Sequence, residues 1–370
     1  MTEFVRWKVR LFGSGALVRE PVPLIPPVFG VLTVTGFKSA FANGFSGYHL
    51  RSRQIPNSAR PMLQPPVELI EACQGGVIAI GNFDGVHRGH QRMVEVLCDQ
   101  SRLAKAPAVV MTFDPPPAAI LRPGAVPPSL TIPAQRADML KGYGVGQVVI
   151  WPTEQALLNL TAREFFQQIL VDSFQAVGIV EGPNFRFGKG RKGDIEMLRG
   201  LCDDAGINLE VVVPVESDTG MVSSSRIREL VSSGRISDAV DLLGHPYEVC
   251  GQVVQGAGRG RTLGFPTANL SEIPTLLPGD GVYAGFCELE GRQYDCAVNV
   301  GRNPTFNEGR TKVEVHVMKW AADLYGKQLA VSLIADIREV RQFESASDLG
   351  RQIEQDIDSV RTLCARYRAE

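Results

Sequence analysis

A change of rhythm near Leu243-Gly244-His245-Pro246 limits the possible folds of this chain more than any other feature. Before it, short apolar runs alternate with segments of helical period. Val77–Ile80, Ala108–Phe113, Gln147–Trp151, Gly178–Glu181 and Glu210–Pro214 read as strands, and Gln91–Leu103, Ala134–Lys141 and Glu164–Leu170 as helices. Within Gln91–Leu103, Met93, Val96 and Leu97 fall at i, i+3 and i+4, one face of an amphipathic helix. Strands that alternate with helices imply a parallel α/β sheet. Beyond residue 246 the candidates are all short strands between Gly-rich turns: Tyr247–Val254, Gly281–Leu289, Arg292–Val300, Lys312–Trp320 and Leu329–Ile337. That pattern predicts a small antiparallel barrel. A final helix places Leu349, Ile353, Ile357, Val360 and Cys364 on one stripe, with Ser347 as its expected cap. Folded structure is expected from about Val67, with a domain boundary near residues 232–245.

A length of 370 residues suits two domains, and 44% hydrophobic with 21% charged residues suits a soluble globular chain. The formal net charge of −2 gives no strong pull toward nucleic acid or anionic membrane. It hides an asymmetry: residues 1–60 carry eight Lys/Arg against Glu3 and Glu20, a net of +6, which leaves −8 for the remainder. Seven dispersed cysteines without a C-x₂-C pair predict reduced thiols in a cytoplasmic protein. No apolar run reaches the length of a membrane span. The N-terminal segment is basic and acid-poor, and its apolar stretch Leu24–Val34 is broken by Pro26, Pro27 and Gly30. A secretory signal needs a cleaner apolar core, and a transit peptide fits the composition better. Residues 1–62 are expected to be a disordered extension, or to follow from an upstream start with Met62 as the true one.

The string Ile80-Gly81-Asn82-Phe83-Asp84-Gly85-Val86-His87-Arg88-Gly89-His90 follows a strand and opens a helix. A helix start offers free backbone N–H groups and positive dipole potential to an anion. Gly85 and Gly89 let backbone approach a phosphate closely. His87 and His90 can donate to phosphate oxygens as charge moves onto a leaving pyrophosphate. A lone histidine there would more often cap or pack; two of the chain's five in one glycine-framed junction point to chemistry.

His87-Arg88-Gly89-His90 matches the H-x-G-H element of the nucleotidyltransferase superfamily, and the longer G-N-F-D-G-V-H-R-G-H string resembles the bacterial bifunctional riboflavin kinase/FAD synthetase family. Further matches follow in the family's order. Met111–Pro117 resembles its T-F-(E/D)-P-H-P loop. Leu130-Thr131 with Leu140 and Gly144-Val145 resembles its next helix. Gly182–Gly190 resembles G-x-D-F-R-F-G-x-G, and Val222–Arg228 resembles I-S-S-T-x-x-R. The resemblance implies that Gly81, Asn82, Phe83, Asp84, Gly89, Ser224, Ser225 and Arg228 bind ATP or its phosphates, and that Asn184, Phe185 and Arg186 bind flavin. Serine hydroxyls and a planar guanidinium suit phosphate oxygens on chemical grounds as well. Pro116, Asn184 and Ser225 depart from the usual His, Asp and Thr. Pro116 removes a donor, Asn184 keeps an acceptor but loses charge, and Ser225 keeps the hydroxyl.

The second half has no G-x₄-G-K-[ST] loop, so a kinase here is not of the P-loop class. Gly256–Asn269 ends in Pro266-Thr267-Ala268-Asn269 and resembles the riboflavin kinase P-T-A-N motif. Gly256, Gly258, Arg259, Gly264, Phe265 and Pro266 are the implied phosphate-binding residues. Thr267 and Asn269 offer hard oxygens suited to Mg²⁺ and are implied to hold the metal on ATP. Asn299–Phe306 resembles N-(I/V)-G-x-x-P-T-F, and Val313–Val317 resembles the family's E-x-H strand. Glu314 falls at the position of the general base, and His316 reads as structural. Asp323–Gly326, Ile337-Arg338, Phe343–Ser345, Gln352-Ile353 and Asp356 complete the likeness, while Lys319-Trp320 stands near a position where an Asp-Phe pair is usual.

The resemblance covers about residues 67–365. It implies an α/β fold: a Rossmann-like nucleotidyltransferase domain with a parallel sheet over 63–235, then an antiparallel β-barrel riboflavin kinase domain with a C-terminal helix over 240–370. The implied activity is riboflavin to FMN and FMN to FAD, with ATP and Mg²⁺ in both steps and no nucleic-acid or membrane partner. Two alternatives stay open on sequence: a kinase whose transferase half is weakened through Pro116 and Asn184, and a non-enzymatic flavin-binding regulator. The oligomeric state is open too.

Overall fold

The computed structural model describes residues 7–11, 17–21, 65–217, 220–256, 260, 264–301 and 311–369. The chain divides into two compact units, Met1–Ile55 and Pro56–Glu370. In the first, β1 (Trp7–Leu11) and β2 (Leu17–Pro21) pair as an antiparallel hairpin. The rest of the expected disordered extension over residues 1–62 lies outside the described residues.

The second unit begins with α1 (Val67–Glu71). The chain then runs through β3 (Val77–Ile80), α2 (Arg88–Ala104), β4 (Ala108–Asp114), α3 (Pro117–Leu121), α4 (Pro133–Gly142) and β5 (Gln147–Pro152). Next come α5 (Gln155–Asn159), α6 (Ala162–Phe165), a π-helical segment Phe166–Ser173, β6 (Gly178–Glu181), α7 (Ile195–Ala205) and β7 (Asn208–Val211). The five strands β3–β7 form one parallel sheet in the order β5-β4-β3-β6-β7. All four residues of β3 and of β6 are buried, as expected for central strands covered on both faces. The order reverses direction between β3 and β6. In open α/β sheets a crevice forms at the carboxyl ends of the strands at such a switch point.

A short hairpin, β8 (Glu216–Ser217) with β9 (Gly220–Met221), leads to α8 (Ser224–Ser232) and α9 (Ile236–Leu243). The Ser223 hydroxyl caps α8 by accepting from the Arg226 N–H. The barrel follows: β10 (Tyr247–Val254), β11 (Ala268–Ser271), β12 (Gly281–Leu289), β13 (Arg292–Gly301), β14 (Lys312–Val317) and β15 (Gln328–Arg338). It closes as β10-β11-β14-β13-β12-β15 with every pairing antiparallel. Closure removes free sheet edges. Inward Tyr247, Val249, Val315, Val331 and Leu333 pack in one cluster with Ile227, Leu230 and Val231 of α8 and with Ile236, Ala239 and Leu242 of α9. The segment expected to separate two domains therefore carries a helix whose apolar face is part of the barrel's core. A last helix, α10 (Ala346–Ala369), lays Ile357, Val360 and Cys364 against Ala284 and Ala335 of the barrel wall.

Several sequence expectations change in detail. The cap of α10 is Ser345, whose hydroxyl accepts from the Asp348 N–H at 3.1 Å; Ser347 lies inside the helix. The strand expected at Glu210–Pro214 is β7, which starts two residues earlier and ends three residues earlier, since the ladder with β6 stops at Val211. The strand expected to reach Trp320 stops at Val317, where the chain turns through Lys319 at φ +60°. β11 is an additional strand, formed by the end of the P-T-A-N motif.

Candidate active sites

The loop between β3 and α2 sits at the switch point and is conformationally strained. Phe83, Gly85 and Val86 all hold positive φ, 47°, 82° and 36°, and such angles are costly for a β-branched side chain. Beyond the loop, His87 and His90 stack with ring centroids 3.7 Å apart and planes at 14°. His87 Nδ1 accepts the His90 N–H at 3.3 Å, capping α2, so a neutral His87 carries its proton on Nε2. Gly89 lies beneath this ring, and a Cβ there would sit 3.2 Å from His87 Cε1 and Nδ1, close enough to press on the ring. Burial pushes the His87 pKa down to about 4. Burial drives His90 well below the usual range, with the nearby His87 and Arg136 acting in the same direction. Both rings are therefore neutral at pH 7. His90 Nδ1 is buried with no hydrogen-bond partner among the described residues.

These rings wall a cavity of about 270 Å³ together with Gly81, Asn184, Phe185 and the apolar rim Val213 and Met221. Val213 is 79% exposed and Met221 53%, so this rim opens to solvent. Arg186 is not in the lining; it pairs with Asp194 at 3.3 Å. Ser224 starts α8 with its hydroxyl donated to the Asp84 carbonyl at 2.8 Å, and Ser225 beside it is exposed. Arg228 donates from Nη2 to Asp84 Oδ2 at 2.5 Å and from Nε to the Pro128 carbonyl at 2.9 Å. The structure thus brings the imidazole pair and the Ser/Arg helix start together around the 82–85 loop. Asp84 is 5% exposed and its carboxylate already accepts from Leu130 N, Thr131 N, Thr131 Oγ1 and Arg228. It faces protein donors, whereas the sequence reading placed it on ATP.

The barrel's candidates lie on an outward face. Val313, Val315 and Val317 point inward, which turns Glu314 and His316 outward and half-buries them. Register sets Glu314 opposite Asn269 of β11 on one side and Asn299 of β13 on the other. Side chains of residues paired in register share a face. Asn269 lies against Gly256, where a Cβ would overlap the Asn269 amide, so a larger residue there would displace the Asn269 side chain. His316 Nδ1 is 2.8 Å from the Pro266 carbonyl and its ring meets Phe265 edge-on, which fits a structural role. A cavity of about 380 Å³ is lined by Thr267, the inward Val315, Trp320 and Tyr325, among others; Glu314, Asn269 and His316 are not in its lining. Gly264 sits in the adjoining turn at φ +85°. Gly258, Arg259 and the Pro304-Thr305-Phe306 part of the Asn299–Phe306 motif lie outside the described residues.

A FAD synthetase family model matches residues 69–226, and a riboflavin kinase family model matches residues 243–364. The bifunctional riboflavin kinase/FMN adenylyltransferase of Pseudomonas fluorescens is 34% identical over 293 residues, which cover 79% of this chain and 94% of the relative. The chain belongs to the bifunctional riboflavin kinase/FMN adenylyltransferase family. The Bacillus subtilis member is 31% identical over 297 residues, covering 79% of this chain and 93% of its own length. A solved Streptococcus pneumoniae chain described as a macrolide-efflux protein aligns with TM-score 0.71 and 34% identity, over 78% of this chain and 94% of that one. No helix among the described residues here is long and apolar enough to cross a membrane.

Within this family framework the sequence reading left several residues unassigned. Glu181, 1% exposed, ends β6 on the cavity wall and accepts the Ile80 N–H at 2.8 Å; burial raises its pKa well above the carboxylate range. The β3–β6 ladder stops at Ile78 and Ile179, so this side chain bridges the splayed strand ends. Arg136 of α4 is 2% exposed and bonds Thr112 and Thr131. His245 of the interdomain turn reaches the Gly85 carbonyl from Nε2 at 3.0 Å, and Gln91 bonds the Leu243 carbonyl at 2.6 Å. Only Arg136 carried a usable signal, a charge within a helix that must cover a sheet.

Proposed function

We propose that this chain converts riboflavin to FMN in its barrel and FMN to FAD in its α/β half, with ATP as co-substrate in both. Residues 63–235 form the adenylyltransferase domain and 240–370 the kinase domain. The observation that carries the adenylyltransferase reading is the stacked, neutral imidazole pair at the switch-point cavity, with an unpartnered buried nitrogen on His90. Neutral imidazoles donate to developing phosphate charge without repelling Arg228. Gly81, Asn82, Phe83 and Gly89 shape the approach, Ser224, Ser225 and Arg228 hold the phosphate tail, and Asn184 and Phe185 hold the flavin. Arg186 contributes from the same loop. The flavin phosphate attacks the α-phosphorus of ATP and pyrophosphate leaves, so the protein's work is alignment and charge stabilisation.

In the barrel, Glu314 accepts the proton of the ribityl 5′-hydroxyl as that oxygen attacks the γ-phosphate. Its place beside Asn269 supports this role. Thr267 and Asn269 fit Mg²⁺ by donor chemistry, since both present oxygens that a hard divalent ion prefers. The ion, when bound, would spread the charge of the ATP phosphates. Gly256, Gly258, Arg259, Gly264, Phe265 and Pro266 form the phosphate cradle in the same reading. All seven cysteines are free thiols, which supports the cytoplasm as the proposed compartment.

Purified protein incubated with riboflavin, ATP and Mg²⁺ is expected to accumulate FMN and then FAD, resolved by chromatography over time. FMN without FAD would leave only the kinase, and no product would contradict both assignments.

A further inference from the structure

Behind the proposed phosphate site lies a buried set of charges that does not balance. Asp84 stands between two guanidiniums: Arg228 Nη2 at 2.5 Å from Oδ2, and Arg136 Nη2 at 3.6 Å from Oδ1. The Leu130 and Thr131 N–H groups, the Thr131 hydroxyl and Arg228 all donate to this carboxyl. One carboxylate and two guanidiniums leave an excess positive charge. Both histidines are neutral and add none. Asp114, the next acid near Arg136, is exposed and screened by water. Side-chain exposure is 2% for Arg136, 7% for Asp84 and 19% for Arg228, so Arg228 is the outward end of the triad.

Arg136 also reaches both ends of the strained loop through single hydroxyls. Its Nη1 donates to Thr112 Oγ1, which donates to the Asn82 carbonyl at 3.2 Å. Its Nε donates to Thr131 Oγ1, which also accepts the Gly85 N–H at 3.1 Å and donates to Asp84. That hydroxyl is saturated, with one proton given and two bonds accepted.

We infer that Arg136 is a positioning residue of the adenylyl-transfer site: it neutralises Asp84, so that the charge of Arg228 remains available to the triphosphate, and it holds the 82–85 loop that carries the imidazole pair. Without it, Asp84 and Arg228 form a closed pair of zero net charge. This rests on the adenylyltransferase reading above.

The test compares Arg136→Met, Arg136→Lys and the double variant Asp84→Asn/Arg136→Met, following FMN adenylylation and, as an internal control for the fold, riboflavin phosphorylation by the same preparations. Arg136→Met is expected to raise KM for ATP in adenylylation by about tenfold or more, with the kinase unchanged. Arg136→Lys is expected to stay within about threefold of the parent. The double variant is expected to recover KM over the single Met variant, because a neutral amide in place of the carboxylate no longer draws on the charge of Arg228. A purely structural role predicts the reverse order, with the double variant worse. An unchanged KM in Arg136→Met, or no recovery in the double variant, overturns the inference. Should Arg136→Met fail to fold, as lost kinase activity would reveal, the Lys variant decides: a tenfold rise in its KM with an intact kinase is equally contrary. If the parent protein itself makes no FAD, the adenylyltransferase reading fails instead.

Discussion

The two proposed sites, one in the α/β half and one on the barrel, are built from different materials. At the first, the protein supplies the electrostatics: a buried carboxylate between two arginines, two desolvated imidazoles and a strained loop braced by side-chain hydroxyls. At the second, Glu314, Asn269 and Asn299 stand in register on the half-buried outer face of a closed barrel. A recessed site can tune its groups by burial. A site on a sheet face draws on residues that register brings side by side.

If that contrast holds, the two sites fail separately. The largest effect is expected from Glu314→Gln, which should lower the rate of FMN formation by about 10²–10⁴-fold, the usual contribution of a positioned general base. FAD formation from supplied FMN should be spared, and chromatographic assay of each half-reaction checks both. His90→Ala should lower FAD formation by about 10²–10³-fold, as for loss of one preorganised donor, and leave FMN formation intact. Equal loss of both activities in either well-folded variant would break the comparison.

Smaller effects sharpen it. The folded His87 pKa, about 4, lies below the ordinary 6.5. Between those values the unfolded chain binds a proton that the folded chain refuses, so stability is lost as pH falls through this window. The slope is roughly 1.4 kcal/mol per pH unit from this residue, with His90 adding in the same direction. Denaturant unfolding at pH 7 and pH 5 measures it, and His87→Gln should flatten the slope. At the barrel, Ser345→Ala should cost about 1 kcal/mol by uncapping α10, while Ser347→Ala should cost little. Thermal melts of the two variants compare them.

The architecture was largely legible because both halves announce themselves by period. The short runs Val77–Ile80 and Gly178–Glu181 read as strands of a parallel sheet, and Val313–Val317 reads as a strand of the barrel. What stayed hidden depended on tertiary contact. Asp84 was read as a nucleotide contact because nothing local reveals that Arg136 and Arg228, on two helices far along the chain, would converge on it. Glu181 was read as the end of an apolar strand, since the splay of β3 from β6 that makes room for its carboxyl exists only in the assembled sheet. The cap of α10 was misplaced by two residues because Ser345 and Ser347 are chemically alike, and only backbone geometry separates them.

Mixing the two crippled proteins tests the account most directly. Glu314→Gln and His90→Ala chains, each unable to make FAD efficiently from riboflavin, are combined with riboflavin, ATP and Mg²⁺. FAD should appear at a rate far above either variant alone, because FMN released by one chain is completed by the other. If the mixture makes no more FAD than the separate variants, while the parent chain makes it readily, the two reactions do not occupy two independent sites.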